Sequence, residues 1–332
     1  MAIGSGLGSQ VGYSLESGSY GTYTAPTKFL RAKSYSVTPK HTRVQGEGIQ
    51  PGILGPYGAH YVETAQAAEA SLAFDVQTTV MGLLLQATTG GTSTAVAVTG
   101  STGAYLHTHT LGDNVGKSYT IQSGRPTRAG TLVPATLSGG KVTSAEFTCE
   151  ANGILGATLS IDGQKWDNTT ALATASYTAS SVFTGKEMCL KGGTVGAETS
   201  IAGVRSVAMT FNRPMDVEDY TACAGGLKAE PVQNEVVDIT GTLKADWLAK
   251  ATFEDLANAN TSTSLVWEFV KATAITGSTY PTFRITLPGV YFESKGQDVP
   301  GRDVLTTDWA FTWRYDGTNL PSVVQITTDS AL

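Results

Sequence analysis

Two stretches of this chain resemble each other at a spacing near 170 residues, and no other feature constrains the fold as much. Ser36-Val37 follows Arg31 and opens an apolar/polar alternation; Ser206-Val207 follows Arg205 and does the same 170 positions later. Leu72-Ala73-Phe74-Asp75 matches Leu243-Lys244-Ala245-Asp246 at an offset of 171, and a helix-like stretch ending at Leu85 matches one ending at Leu256 at the same offset. Thr92-Ser93-Thr94 matches Thr261-Ser262-Thr263 at 169, and strand-to-turn runs close on Asp162-Gly163 and Asp316-Gly317 at 154. The falling offset predicts an insertion in the first copy, within 98–135. A period this long excludes a solenoid, whose repeats are far shorter. It predicts an arm over 1–27, a first domain over 28–170, a linker over 171–200 and a second, related domain over 201–332.

Each copy reads as strand, long loop, strand, short helix, then further strands. Val237, Ile239, Leu243 and Ala245 alternate with polar neighbours, as do Trp309, Phe311, Trp313 and Tyr315, and Leu265, Trp267 and Phe269. Period-2 alternation marks half-buried strands. Thr78 or Thr79 can cap a helix over 80–86, and Asp246 or Thr252 one ending at Leu256. Composition agrees: 48 threonines and 38 glycines suit strands joined by tight turns. The expected fold is mainly β: two related antiparallel β-sandwich or barrel domains, each with one short α-helix.

Two loops exceed simple hairpins and occupy the same place in each copy: 39–61 and 212–234. Loops this long inside compact domains are functional or disordered. Both carry apolar anchors, which argues for ordering against a partner, with solvated hairpin tips as the other reading. Their local charge is opposite, so contact between unlike copies is expected. The residues expected to make inter-subunit or inter-ring contacts are Lys40, Arg43, Ile49, Ile53, Leu54 and Tyr57 in the first loop, and Arg213, Asp216, Glu218, Asp219 and Tyr220 in the second.

Catalytic chemistry is sparse. His107-Thr108-His109 puts two rings on one strand face, but no carboxylate or thiol joins them at a metal-site spacing, so an exposed strand face is expected and no metal. No GxSxG occurs, and Gly4-Ser5-Gly6-Leu7-Gly8 lacks the strand before and GK[ST] after that a phosphate loop needs, so it reads as part of the arm. Asp162 and Asp316 before glycine read as turn residues. Cys149, Cys189 and Cys223 form no CxxC and read as buried free thiols. No cofactor and no enzymatic activity are expected.

Net charge is −6, with 22 basic and 28 acidic residues and no Lys/Arg block. All of it falls in 171–332, since 1–170 carries ten of each sign. Such a chain is a poor candidate for duplex-DNA binding by phosphate neutralisation. The longest apolar run, 80–85, is far short of the roughly 20 residues of a membrane span, and no secretory signal is visible at the start.

Several runs carry a family likeness: GSGLGSQVGYSLESGSYGTYTAPTKFL (4–30), SYSVTPKHTRVQGEGIQPG (34–52), SYTIQSGRP (118–126), KVTSAEFTCEANGILGATLSIDGQ (141–164), GGLKAEPVQNEVVDITGTLKADW (225–247) and DVLTTDWAFTWRYDGTN (303–319). In this order they resemble the tail tube (major tail) proteins of long-tailed bacteriophages. DVEDYTACAGG (216–226) and ESKGQDVPGRDV (293–304) depart from the family pattern, which bears on loop contacts more than on the fold. The resemblance implies a virion protein made in the host cytoplasm, whose β domains join in rings that stack into a hollow tube for the genome. Six domains per ring then imply three two-domain chains with pseudo-sixfold symmetry; a hexamer of whole chains is the rival. The partners implied are other copies of the chain, a tape measure protein and a tail terminator, with DNA passing the lumen unbound. A neutral-to-acidic lumen would repel phosphates. A capsid decoration protein, and a β-sandwich adhesin or glycan-binding module, remain alternatives on composition.

Overall fold

The computed structural model describes residues 5–294 and 304–332. The first four residues of the expected arm, and all but the ends of the variant run 293–304, lie outside them.

The first half runs β1 (Gln10–Leu15), β2 (Lys28–Leu30), β3 (Ala32–Gln45), β4 (Tyr61–Asp75), α1 (Gly82–Thr89), β5 (Gly90–Ala97), β6 (Tyr105–Leu111), β7 (Tyr119–Pro126), β8 (Leu132–Glu150), β9 (Gly156–Gly163) and β10 (Lys165–Asp167). The second runs β11 (Met188–Gly193), β12 (Thr199–Ser200), β13 (Val204–Asn212), β14 (Met215–Asp216), β15 (Val232–Gln233), β16 (Asp238–Asp246), α2 (Glu254–Asn258), β17 (Thr263–Val270), β18 (Thr282–Phe292), β19 (Thr306–Trp313) and β20 (Ser322–Thr327). The fold is mainly β, with large antiparallel sheets.

The strand pairings of the two halves follow one plan. In the first, β3 pairs β4, β4 pairs β9, β9 pairs β8, and β8 also pairs β7 and β10, with β1 on β7. In the second, β13 pairs β16, β16 pairs β19, β19 pairs β18, and β18 also pairs β17 and β20, with β11 on β17. Asp75 faces Gly156 as Asp246 faces Thr306. The plan reaches into the segments read as arm and linker: β1 and β11 are core strands in matching places. Tyr13 and Leu190 are buried there, which a free arm or linker would not allow.

The extra segment of the first half is the β5–β6 hairpin, 90–111, which starts earlier than the expected 98–135. Thr92–Thr94 therefore lies in an element with no counterpart, and its likeness to Thr261–Thr263 is coincidental. The pairings place Asp162 against Glu69 and Thr312 against Thr240, so the Asp-Gly pairs at 162 and 316 are not equivalent positions.

Eight strands form one continuous sheet in the order β3-β4-β9-β8-β13-β16-β19-β18, because β13 pairs the far edge of β8 from Ser206↔Glu150 to Asn212↔Ser144. The N-terminal halves of β8 and β18 leave it to join the opposing layer. Each crosses at a glycine: Gly139 with φ +71° and Gly289 with φ +74°. Side chains rarely adopt this backbone, and a Cβ on Gly289 would meet the Arg314 carbonyl at 2.4 Å. β8 pairs β7 up to Gly140 and β9 from Lys141, so the glycine is where the strand changes partners.

The alternation read from sequence fills the space between layers. Leu72, Phe74, Leu159, Phe147, Met209, Phe211, Ile239 and Phe311 point inward, and Phe147, Phe183, Phe211, Phe269 and Phe283 meet with centroids 6.0–6.3 Å apart. Trp309, Phe311 and Trp313 are buried, but Tyr315 has passed the strand end and is exposed. β17 is buried on both faces, with Val266 and Glu268 as enclosed as Trp267. Both helices start later than expected, at Gly82 and Glu254, and their N-cap residues Met81 and Phe253 make no side-chain cap. All eight residues of α1 are buried, since it contacts β5, β6, β8 and β20.

Candidate functional site

The eight-stranded sheet has one apolar face in the core and one polar face outward, and its register lays the polar residues in rows. One row reads Ser36, Ser71, Ser160, Ser144, Asn212, Asp238; another reads Ala73, Thr158, Glu146, Thr210, Thr240, Thr312. Both rows cross the β8–β13 seam between the halves unbroken. Hydroxyls and small side chains dominate both rows. Carboxylates outnumber cations on this face: Glu69, Asp75, Glu146, Glu150, Asp238, Asp246 and Asp308 against Lys33, Lys40 and Lys244, with Arg205 and Arg314 at its margins. Among the described residues β3, at the end of the sheet, pairs only with β4.

The β3–β4 hairpin runs on past the end of β9. β9 ends opposite Ala68, but the ladder continues from Lys40↔Ala67 to Gln45↔Tyr61. Six more residues add about 20 Å at the rise of a strand. Beyond it the tip is exposed throughout, with Ile49 and Leu54 as open as in a free chain, Ile53 and Tyr57 half open, and the Tyr57 ring 5.1 Å from that of His60. Lys40 pairs with Glu69, and Glu63 receives His41 at 3.0 Å and Arg43 at 3.6 Å. Its imidazole and guanidinium neighbours hold the Glu63 carboxyl below its usual range.

The second loop behaves otherwise. It leaves the same end of the sheet but folds back over the first half. Gly226 approaches β4 so closely that its carbonyl accepts the Gln66 N–H at 3.0 Å, and a Cβ there would lie 2.8 Å from the Thr64 carbonyl. Lys228 is buried and donates to both oxygens of Asp162 at 2.5 Å. Buried Lys141 on β8 reaches Glu230 at 2.5 Å and the Asn114 carbonyl at 2.9 Å. Burial pushes the Asp162 carboxyl up despite Lys228, and pushes the Lys141 ammonium down despite Glu230.

The sequence-predicted residues divide accordingly. Lys40, Arg43, Ile49, Ile53, Leu54 and Tyr57 stand on the hairpin. Asp216, Glu218, Asp219 and Tyr220 are exposed on the folded-back loop, with Glu218 acting on the Lys40 charge, so the opposite charges of the two loops meet inside one chain. Arg213 is 2% exposed and unavailable to a partner; it donates to the carbonyls of Thr89 at 2.5 Å and Gly112 at 2.8 Å, and to Gln233. Sequence reading missed Lys141, Lys228, Glu230 and Asp162. Asp162 carried the misleading Asp-Gly signal; Asp316 does hold a turn, accepting the Thr318 and Asn319 N–H groups.

His107 and His109 are not on an exposed face. Both rings are buried where β6 meets β20, His107 against the Asp329 carbonyl at 2.9 Å and His109 against Ser93 at 2.8 Å. Burial drives His109 down to about 3, with His107 adding to the shift. Among the described residues no three His, Cys, Asp or Glu side chains converge as metal ligands. The thiols are free, but only Cys149 is buried; Cys189 is half-buried and Cys223 exposed.

Among the described residues the sheet thus ends on a strand with one open edge, the kind of edge that another chain can pair with. A family model described as phage tail tube protein matches residues 6–312, nearly the whole chain, and the protein belongs to that family. It is thus a structural protein of the virion tail. No curated protein matches the chain. Among the described residues no helix is long and apolar enough to cross a membrane.

Proposed function

We propose that three copies of this chain close a ring and that rings stack into the hollow tail tube through which the genome is delivered. The observation that carries this reading is the β8–β13 seam. The chain holds two units of one strand plan, joined edge to edge in one sheet, with four strands from each. Repeating that junction between chains would satisfy the open edge of β3, the kind of edge that otherwise invites aggregation. Three chains would then bring 24 strands to a closed barrel, and a closed cyclic ring leaves no edge.

The polar face would line the lumen in this arrangement. Its serines and threonines are neutral, and its carboxylates exceed its cations, so its net charge repels phosphates. DNA would slide along it without adhering. The hairpin tip, apolar and unsupported, would contact the next ring. Its further partners would be the tape measure protein and the tail terminator.

Electron microscopy of the purified protein, with the mass of a single ring, tests this directly. Hollow tubes built of three-chain rings are expected. Six whole chains around one ring would overturn the duplication argument, and featureless particles would overturn the tube.

A further inference from the structure

We infer that each chain sends one hairpin, not two, to the adjacent ring, so that stacked rings are tied at three points with threefold rather than sixfold symmetry. This rests on the ring-stacking reading above, but its structural premise stands alone. The two long loops hold equivalent places between paired strands, β3–β4 and β13–β16, and leave the same end of one sheet. A chain with two interchangeable units would project both. It does not.

The difference lies in where the polar groups go. In the first loop Arg43 and His41 are satisfied by Glu63 on the hairpin itself, at the surface, which leaves the tip free of the body. In the second loop Lys228 is satisfied by Asp162, and Glu230 by Lys141 and the Gly116 N–H at 2.6 Å, all in the other half. Arg213, at the loop's root, is spent on carbonyls of the first half. Extending the second loop would break both ion pairs and uncover Asp162 and Lys141, losing every buried contact the loop makes with the first half. Gly226 completes the latch, since only a residue without a side chain allows that approach to Thr64. The second loop therefore clamps the two halves of one chain, and the exposed Ile49–Tyr57 tip alone remains to engage a second copy.

Two measurements test this, one without tubes. Trypsin and chymotrypsin acting on the dissociated chain should cut at Arg43, Leu54 and Tyr57 at least tenfold faster than at Tyr220 and Lys228. Comparable rates in the two loops would overturn the latch. In Gly226→Val the second loop should become cleavable while the first is unchanged; continued protection would also count against it. Tubes reconstructed without imposed sixfold symmetry should show three bridges between rings, 120° apart. Six equal bridges would overturn the inference. Absence of rings would defeat the stacking reading, while the digestion pattern would still decide the latch.

Discussion

Lys228→Met should destabilise the dissociated chain by about 3–4 kcal/mol at pH 7. The ammonium lies 2.5 Å from both oxygens of Asp162, and both side chains are buried. Removing one member of a buried pair typically costs about 3–5 kcal/mol, because the other charge stays behind without water. Protonation sets a ceiling: taking an ordinary carboxyl of pKa ~3.9 to its neutral form at pH 7 costs about 4 kcal/mol at 1.36 kcal/mol per unit. Burial already raises Asp162 in the intact protein, and without Lys228 its folded-state pKa rises further above the unfolded value. The folded variant then binds the extra proton, so its deficit is small near pH 4 and grows as pH rises toward the folded pKa. At pH 5 the ceiling falls to about 1.5 kcal/mol by the same conversion. Urea unfolding at pH 5 and 7 measures both values, and Lys228→Met with Asp162→Leu should recover most of the loss, since an apolar pair can replace a buried ion pair. A loss under about 1 kcal/mol at pH 7, or an equal loss at both pH values, would refute the buried-pair argument.

His109 gives acid lability of the β6–β20 junction. Its folded pKa of about 3 lies below the ordinary ~6.5, so the stability it contributes is complete above about pH 6.5 and is lost as pH falls toward 3. Denaturant melts should show about 2 kcal/mol lost between pH 7 and 5 from this group, and His109→Leu should flatten that slope. Deleting 44–56 removes no buried residue, so the melting temperature should stay within a few degrees while tube formation fails by microscopy; normal tubes would remove the hairpin from the inter-ring contact. Glu146→Lys with Glu150→Lys places cations on the polar face, and tubes of this variant should retain DNA at low salt and release it as salt rises. Retention equal to that of the unaltered protein would put the face elsewhere than the lumen.

Much of the architecture was legible from local pattern. Strand alternation at 237–245 and 309–313 identified which side chains face the core, because a pleated strand separates its two faces at every residue. The duplication was legible from β3/β13, β4/β16 and the helices, where spacing is fixed by strand pairing. It blurred beyond α1, where the β5–β6 hairpin breaks the offset and a threonine-rich run gave a false match. The segments 1–27 and 171–200 read as arm and linker, yet β1 and β11 within them are strands. Their strand character comes from pairing with β7 and β17, distant in sequence, and short segments draw little on propensity alone.

The two long loops mark the boundary most clearly. Sequence by itself determined that each copy carries a loop of 23 residues in the same place, with apolar anchors and opposite charge. Only the tertiary structure decided that one projects and the other is clamped. Whether Lys228, Glu230 or Arg213 is a solvated charge or a buried anchor depends on what faces it. Asp162, Lys141 and the Thr89 and Gly112 carbonyls come from strands, a helix end and a loop 66 to 124 residues away. A local sequence window contains the charge but not its partner, and burial of the pair exists only once the two halves have closed on each other.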